Sequence, residues 1–551
     1  MTTTVADKLN GNAEPHRPQH VLSHLIRDAP IEILICILSQ LEGRDIAHCQ
    51  LVSKSLYRMI SDSKLLQYIM TLAMADYVED PKNRSAISSS FNKTVALREH
   101  LDAWYRMRPS SVDSMEFGPA VLTELRGGVL AITSNTRVNI TILPSRLRGI
   151  RTKSTISYEL DEPPVQTSIL PEEDLLVAFH WSAVTDTHWS LMARFLRLST
   201  SKPHHLAPKP ILFKLTAARP VFTRTLFRST LALSYLNVNP EGFFGCTIEV
   251  MDWKKGTRLG SMFLPNIYYL VHPTFLTPTV LLIPRQNEVP ISLPGHPNTP
   301  FDRLDLYTIV KGFFCPLASF SLPEMALPGY VTAVSLTASA PSTPSAPYST
   351  IPPPAFSIDD DERIVIIRQM VFGADSQNQA FFLIRYVDVS YPVRHFIRLA
   401  GALMKSIRHQ VPLSFEAWGG DRFRLKLYSS LAAAPLVSFG SRVVTIKPED
   451  KQIHLLDHRQ HIEYWHKNRP ISDLRDVSLT RSMTNGGLKH RASDFATSLP
   501  FLSVKRSFTN FLSKKYPVTD ILHDLEHIVI VQKCVCEKHS DPGPHFVILS
   551  F

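Results

Sequence analysis

Several things are scarce in this chain of 551 residues, and each scarcity excludes a class. Six cysteines scattered over that length do not make a disulfide framework. No apolar run reaches the ~20 residues that a membrane helix needs. The longest candidate, around Tyr268 to Pro284, is broken by His272, Pro273 and Pro278. The N-terminal MTTTVADKLNGNAEPHRPQH is polar and has none of the apolar core of a signal peptide. We therefore expect a soluble chain in a reduced compartment, cytosol or nucleus, with no membrane partner. The N-x-S/T sequons at Asn83, Asn92 and Asn139 then read as chance matches.

Excess charge of one sign is also missing. A formal net charge of +10 is modest for this length, so no nucleic-acid partner is expected. Catalytic signatures are absent as well: no Gly-x-Gly-x-x-Gly, no Walker loop, no His-Glu-x-x-His and no Gly-x-Ser-x-Gly. No cofactor is implied. The sole metal-like cluster, Cys534-Val-Cys536 with His539 and His545, lacks a standard zinc spacing and reads as strand cysteines in a core. The acidic run Asp359-Asp360-Asp361-Glu362 lacks the glycine and distal glutamate of a calcium loop and reads as a solvated turn. His204-His205, between prolines, reads as surface loop. Trp181, Trp189, Trp253, Trp418 and Trp465 are candidates for a binding face, although strand aromatics are more often core.

What the chain does have is length and globular composition: 44% hydrophobic and 20% charged, with 41 prolines against 21 glycines. That is too much for one small core, so at least two domains are expected. Residues 1–20 read as a disordered tail. Residues 21–108 read as helical. Pro30 fits a first helical turn, and Gly43 ends that helix. Asp45 can cap a second helix, Ile46 to Val52, and Ser53 a third carrying Leu56, Met59 and Ile60. Two more helices follow. The last carries Leu97, Leu101, Trp104 and Tyr105 on one face.

From about residue 115 the pattern changes to short β-type runs. Among them are 174–179, 188–199, 229–238, 246–253, 279–284, 302–309, 362–373, 380–390, 424–430, 441–448, 452–459, 527–535 and 545–551. Runs of this kind over more than 400 residues exceed one sandwich, and radial repetition in a β-propeller is the economical architecture. Asp252-Trp-Lys-Lys-Gly and Leu456-Asp457-His-Arg-Gln look like counterparts in two units. Residues 337–357 are Pro/Ser/Ala-rich and read as an extended loop. Residues 469–515 read as an exposed, partly disordered insertion, basic and Ser/Thr-rich over 481–515.

The helix candidate Ile31 to Leu41 is apolar nearly all round, whereas a surface helix shows one stripe. Its surroundings read Ala29-Pro30-Ile31-Glu32-Ile33-Leu34, then Ile37-Leu38-x-x-Leu41, Asp45-Ile46 and Val52-Ser53-Lys54. This series resembles the F-box. It departs at Ala29, where the family has Leu, at Ser53, where it has Cys, and at Leu56, where it has an aromatic. The longer N-terminal pattern, with its β region, resembles a large group of fungal F-box proteins.

The resemblance implies a fold and a role. The fold is α+β multidomain: an F-box over 21–68, a helical linker over 69–114 and a β-rich, propeller-like recognition domain over 115–551. The role is that of a non-catalytic substrate-recognition subunit, docked on a Skp-type adaptor and through it on a cullin. Pro30, Ile33, Leu34, Ile37, Leu38, Leu41, Val52 and Leu56 would make or support the adaptor contact. The β domain would bind an unknown protein target. The alternatives are an F-box scaffold without ligase activity and, further off, a propeller hydrolase with carboxylates or histidines converging at its centre.

Overall fold

The computed structural model describes residues 29–79, 90–117, 122–183, 189–207, 209–215, 221–238, 244–265, 267, 270–286, 301–322, 330–338, 349, 351–360, 363–374, 381–403, 412–414, 417–418, 424–428, 436–447, 452–457, 477–480, 501–508, 510–512, 516–533 and 543–551. The chain divides into two compact units, Met1–Met74 and Ala75–Phe551.

The first unit is helical: α1 (Ile31–Leu38), α2 (Gly43–Cys49), α3 (Lys54–Asp62) and α4 (Lys64–Met74). Pro30 opens α1, its carbonyl accepting from the N–H groups of Ile33 (3.0 Å) and Leu34 (3.2 Å). The second helix starts earlier than its expected Asp45 cap, with Glu42 in the cap position and Asp45 inside the first turn. The cause is close packing. A Cβ on Gly43 would stand 2.5 Å from the Ala73 Cβ and 2.8 Å from the Ile69 carbonyl, so glycine lets α2 begin against α4. Ser53 does cap α3, its Oγ accepting from Leu56 N–H at 3.1 Å. Leu38, Ile46, Leu56, Met59, Ile60, Leu66 and Met70 form the core of this unit.

The second unit is a β-propeller. Among the described residues, seven antiparallel sheets form the blades, six of four strands and one of five, following one another along the chain, and an eighth sheet has only two strands. Blade 1 runs from Leu122–Arg126 to Ser154–Glu159, and blade 2 from Gln166–Leu170 to Ile211–Leu215. Blade 3 runs from Phe222–Phe227 to Thr257–Pro265, and blade 4 from Thr274–Thr277 to Phe313–Ser321. Blade 5 runs from Tyr330–Ala338 to Arg424–Tyr428, and blade 6 from Leu436–Phe439 to Phe501–Ser507, with Val477–Thr480 as its fifth, outermost strand. Blade 7 takes Val518–His523, His527–Gln532 and His545–Ser550, and its fourth strand is Ser111–Glu116 from the other end of the β region. The ring is thus closed by a sheet that joins both ends of the propeller sequence.

The first strand of each blade lies innermost, and these strands abut in turn around the ring. Arg224 ties three of them. From blade 3 its guanidinium donates to Gln166 (2.9 Å) and Ser168 (2.6 Å) of blade 2 and pairs with Glu124 (3.3 Å) of blade 1. Apolar clusters fill the gaps between blades, as Phe179, Leu233 and Trp253 do between blades 2 and 3. The aspartates of the two counterpart motifs take equivalent places in their blades. Asp252 and Asp457 each end the third strand of their blade and pair with the first residue of the second, Thr230 and Arg442.

The turns from first to second and from third to fourth strand lie at one end of the ring, because successive antiparallel strands alternate in direction. The chain's own residues pack over this end. Helix α5 (Ser90–Tyr105) buries Leu97, Leu101 and Trp104, the face its sequence spacing predicts. The Trp104 indole donates to Leu525 O (3.1 Å) at the first turn of blade 7 and stacks on Phe551 at 4.2 Å. The Pro/Ser/Ala-rich stretch is the first connection of blade 5. Its described residues Ile351, Ala355 and Phe356 are buried. Pro352 O accepts from Arg148 of blade 1 (2.8 Å) and Pro171 O of blade 2 from Ser349 (3.0 Å). Ser357–Ile358 pairs with Tyr77–Val78. Apolar anchors, spaced between the prolines, explain why this segment packs down. The basic stretch is anchored in the same way by buried Phe508 and Leu512, while its residues 481–500 lie outside the described ones.

Candidate interaction site

The apolar character of α1 divides cleanly. Leu38 faces the unit's core and is 8% exposed, with Leu34 and Ile35 packed beside it. On the other side Ile33 (51%) and Ile37 (57%) stand one turn apart in water, with Ile31 and Leu41 also exposed. Of the eight residues singled out from sequence, Leu38 and Leu56 are core, Leu34 is half-buried, and Pro30, Ile33, Ile37, Leu41 and Val52 are exposed. The two buried leucines hold the helices in place, and the exposed five offer surface. Sequence reading missed Leu51 (84% exposed), Tyr57 and Leu65. Leu51 lies beside Val52 in the turn after α2, and an aliphatic pair in a polar turn was the available signal.

The other candidates resolve into structure. Contrary to its reading as surface loop, His204 is fully buried. Its Nε2 lies 2.9 Å from Glu173 O, and its ring meets Trp253 edge-on. A carbonyl partner and an aromatic wall make burial acceptable there, and burial lowers the imidazole's pKa. Trp253 and Trp418 are core, Trp181 and Trp189 are half-buried, and Trp465 lies outside the described residues. Asp360 pairs with Arg228 at 3.2 Å. Cys534, Cys536 and His539 also lie outside the described residues, and His545 sits in a blade 7 strand. Among the described residues no group of three or more His, Cys, Asp or Glu could hold a metal ion, and no helix is long and apolar enough to cross a membrane.

Residues 26–70 match the family model described as F-box-like. The N-terminal module is an F-box-like domain. The F-box-like match spans α1, α2 and α3 and enters α4. No curated protein matches the chain. Among solved structures, Hsv2 of Kluyveromyces marxianus is similar at 10% identity, covering 76% of this chain and 90% of its own, with a TM-score of 0.35. The β-propeller domain of the Trilobed protease from Pyrococcus furiosus is similar at 8% identity, covering 76% and 93%, with a TM-score of 0.30. An uncharacterized protein from Listeria monocytogenes is similar at 11% identity, covering 62% and 94%, with a TM-score of 0.30. None of these likenesses transfers an activity.

Proposed function

We propose that the chain is the substrate-recognition subunit of a Skp–cullin–F-box ubiquitin ligase. The observation that carries this reading is the uncovered face of α1, Ile33 and Ile37 above all, inside a domain that matches the F-box-like family. A Skp-type adaptor would bury that face. Each aliphatic side chain taken fully out of water contributes roughly 1.5–3 kcal/mol. Ordering and association costs offset much of the sum, so a few such residues decide whether docking occurs. The propeller would hold a protein target, and the ligase's charged enzyme would supply the chemistry. The receptor's contribution is then proximity, which needs no reacting residue of its own. Such work belongs to the cytosol or nucleus.

The test is capture of the adaptor by the purified full chain, wild type beside the Ile33→Asp, Ile37→Asp double variant. Both side chains are exposed, so the variant keeps its fold. Capture that the variant loses supports the reading. A folded wild type that captures nothing sinks it. Capture without any change in the half-life of a cellular protein on deletion would leave the scaffold role instead.

A further inference from the structure

The closing seam of the ring, where blade 7 meets blade 1, is held by ionisable groups that are almost wholly buried: Asp524 (1% exposed), Glu526 (2%) and His527 (0%). All three sit at the turn between the first two strands of blade 7. The Asp524 carboxylate accepts from Gly128 N–H of blade 1 (2.6 Å), and from the N–H groups of Glu526 (2.9 Å) and His527 (2.8 Å). Gly128 has a φ of 77°, so glycine is what lets its N–H turn into the carboxylate. Three backbone donors hold that carboxylate in its ionised form.

The His527 ring lies between two acceptors. Its Nδ1 is 2.9 Å from the Asp524 carboxylate, and its Nε2 is 2.8 Å from Pro144 O of blade 1. A neutral imidazole has one N–H and could serve only one of them. We propose that His527 is held as an imidazolium, and that this proton locks the seam of the ring. With it, blade 7 donates into blade 1 through His527 and accepts from it through Asp524. Without it, either Pro144 O or the carboxylate faces a bare nitrogen lone pair in a site closed to water. Leu525, between the two acids, receives the Trp104 indole, so the same turn also secures α5.

The surrounding charges agree. Burial alone would lower the His527 pKa, but Asp524 and Glu526 outweigh it and the pKa is raised above 6.5. Burial opposes ionisation of Asp524, but the His527 charge and the hydrogen bonds from His527, Glu526 and Gly128 together outweigh it and the pKa is lowered. Glu526, raised by burial, accepts from Ser145 Oγ and from Leu147 N–H (3.0 Å), and Arg148 stands near it. His523, next in the strand, is pushed down to about 3 by burial and by Arg442, so it is neutral and adds no charge.

At a pH below 6.5 folded and unfolded chains both hold the His527 proton, and the lock contributes in full. Above that value only the folded chain keeps it. Unfolding then releases a proton, and its equilibrium constant rises about tenfold per pH unit until the folded-state pKa is passed. Buried histidines with lowered pKa values, such as His180, His204 and His272, act only below 6.5 and with the opposite sign. Glu526 and Asp520, both raised by burial, add slope of the same sign, so the ring must be read directly.

The experiment is nitrogen NMR of the full chain with labelled histidine rings, His527 being assigned by its absence in His527→Gln. The His527 ring should lose its second proton only above pH 6.5, the ordinary imidazole value, while His523 is already neutral there. Unfolding of wild type between pH 6.5 and the ordinary thiol value of 9.0 should show the proton-release slope, and His527→Gln should lose up to tenfold per unit of it. An unprotonated His527 nitrogen at pH 6.5 overturns the proposal, as does an unchanged slope in a folded His527→Gln. Should that variant not fold, the wild-type ring, assigned through bonds from its own backbone, decides alone by its titration.

Discussion

On α1, Ile33 and Ile37 leave more than half of their surface in water, whereas Val177 and Phe179 in the second strand of blade 2 leave none. The residue types are alike; the settings differ. The F-box-like module is four short helices, and a unit of that size cannot enclose a helix that is apolar all round. The propeller is a ring, so each blade's middle strands are covered on both faces by the blades beside them. Its ends are joined in one sheet, and its own helix and loop pack over one end. The module leaves apolar surface in water, and the propeller buries its apolar surface against itself. Single substitutions should therefore separate folding from binding differently in the two units.

The largest expected effect is in the propeller. Trp104→Ala removes a fully buried indole, its bond to Leu525 O and its stack on Phe551. We expect a loss of about 3–5 kcal/mol from the propeller's unfolding transition, with adaptor capture unchanged. Calorimetry of the full chain reads the first and a pull-down the second. An unshifted transition would mean that α5 is no part of the propeller's core.

Next come two aliphatic residues one position apart on α1. Leu38→Ala cuts the module's core and should cost about 2–5 kcal/mol of its stability. Ile37→Ala should change stability by no more than about 0.5 kcal/mol. On our reading of the function it weakens adaptor binding by roughly 1–2 kcal/mol, about 5- to 30-fold. Denaturation and titration with the adaptor should give opposite rankings for the two variants. If both lose stability alike, the face of Ile37 is covered by the chain itself and the contrast between the two units fails.

The same contrast explains what was legible in the sequence. Twelve of the thirteen strand runs named from it are second or third strands of their blades, such as Leu175–Ala183, Phe244–Asp252 and Gln452–Asp457. The three strands just named are buried on both faces and read as nearly continuous apolar runs. Innermost and outermost strands mostly escaped. Leu122–Arg126 lines the ring's centre with Glu124 and Arg126, and Ser154–Glu159 is an exposed polar edge, so neither carries the apolar signature. Val129–Ser134 and Arg137–Ile142 of blade 1 do carry it and were overlooked. The seam cluster could not be read at all. Gly128, Pro144 and Asp524 meet only because the ring closes, and no local pattern records a contact across nearly 400 residues. On α1, the sequence shows which residues are apolar, but which of them are core and which surface depends on where α3 and α4 pack.

The smallest effect concerns a departure from the family pattern. Ser53 stands where the F-box usually has Cys, and by sequence alone that could weaken the partner contact. In the fold Ser53 acts locally, its Oγ accepting from Leu56 N–H at the start of α3. Leu56 is a core residue and Tyr57, next to it, is exposed, so this cap sets the angle at which α3 presents one residue inward and the next outward. Ser53→Ala should cost the module about 1 kcal/mol. Ser53→Asp should restore most of it, because an acceptor at the cap also suits the positive end of the helix. Adaptor binding should follow the folded fraction in both variants. A binding loss in Ser53→Asp at wild-type stability would mean that the residue touches the partner, and the line between supporting and contacting residues would have to move.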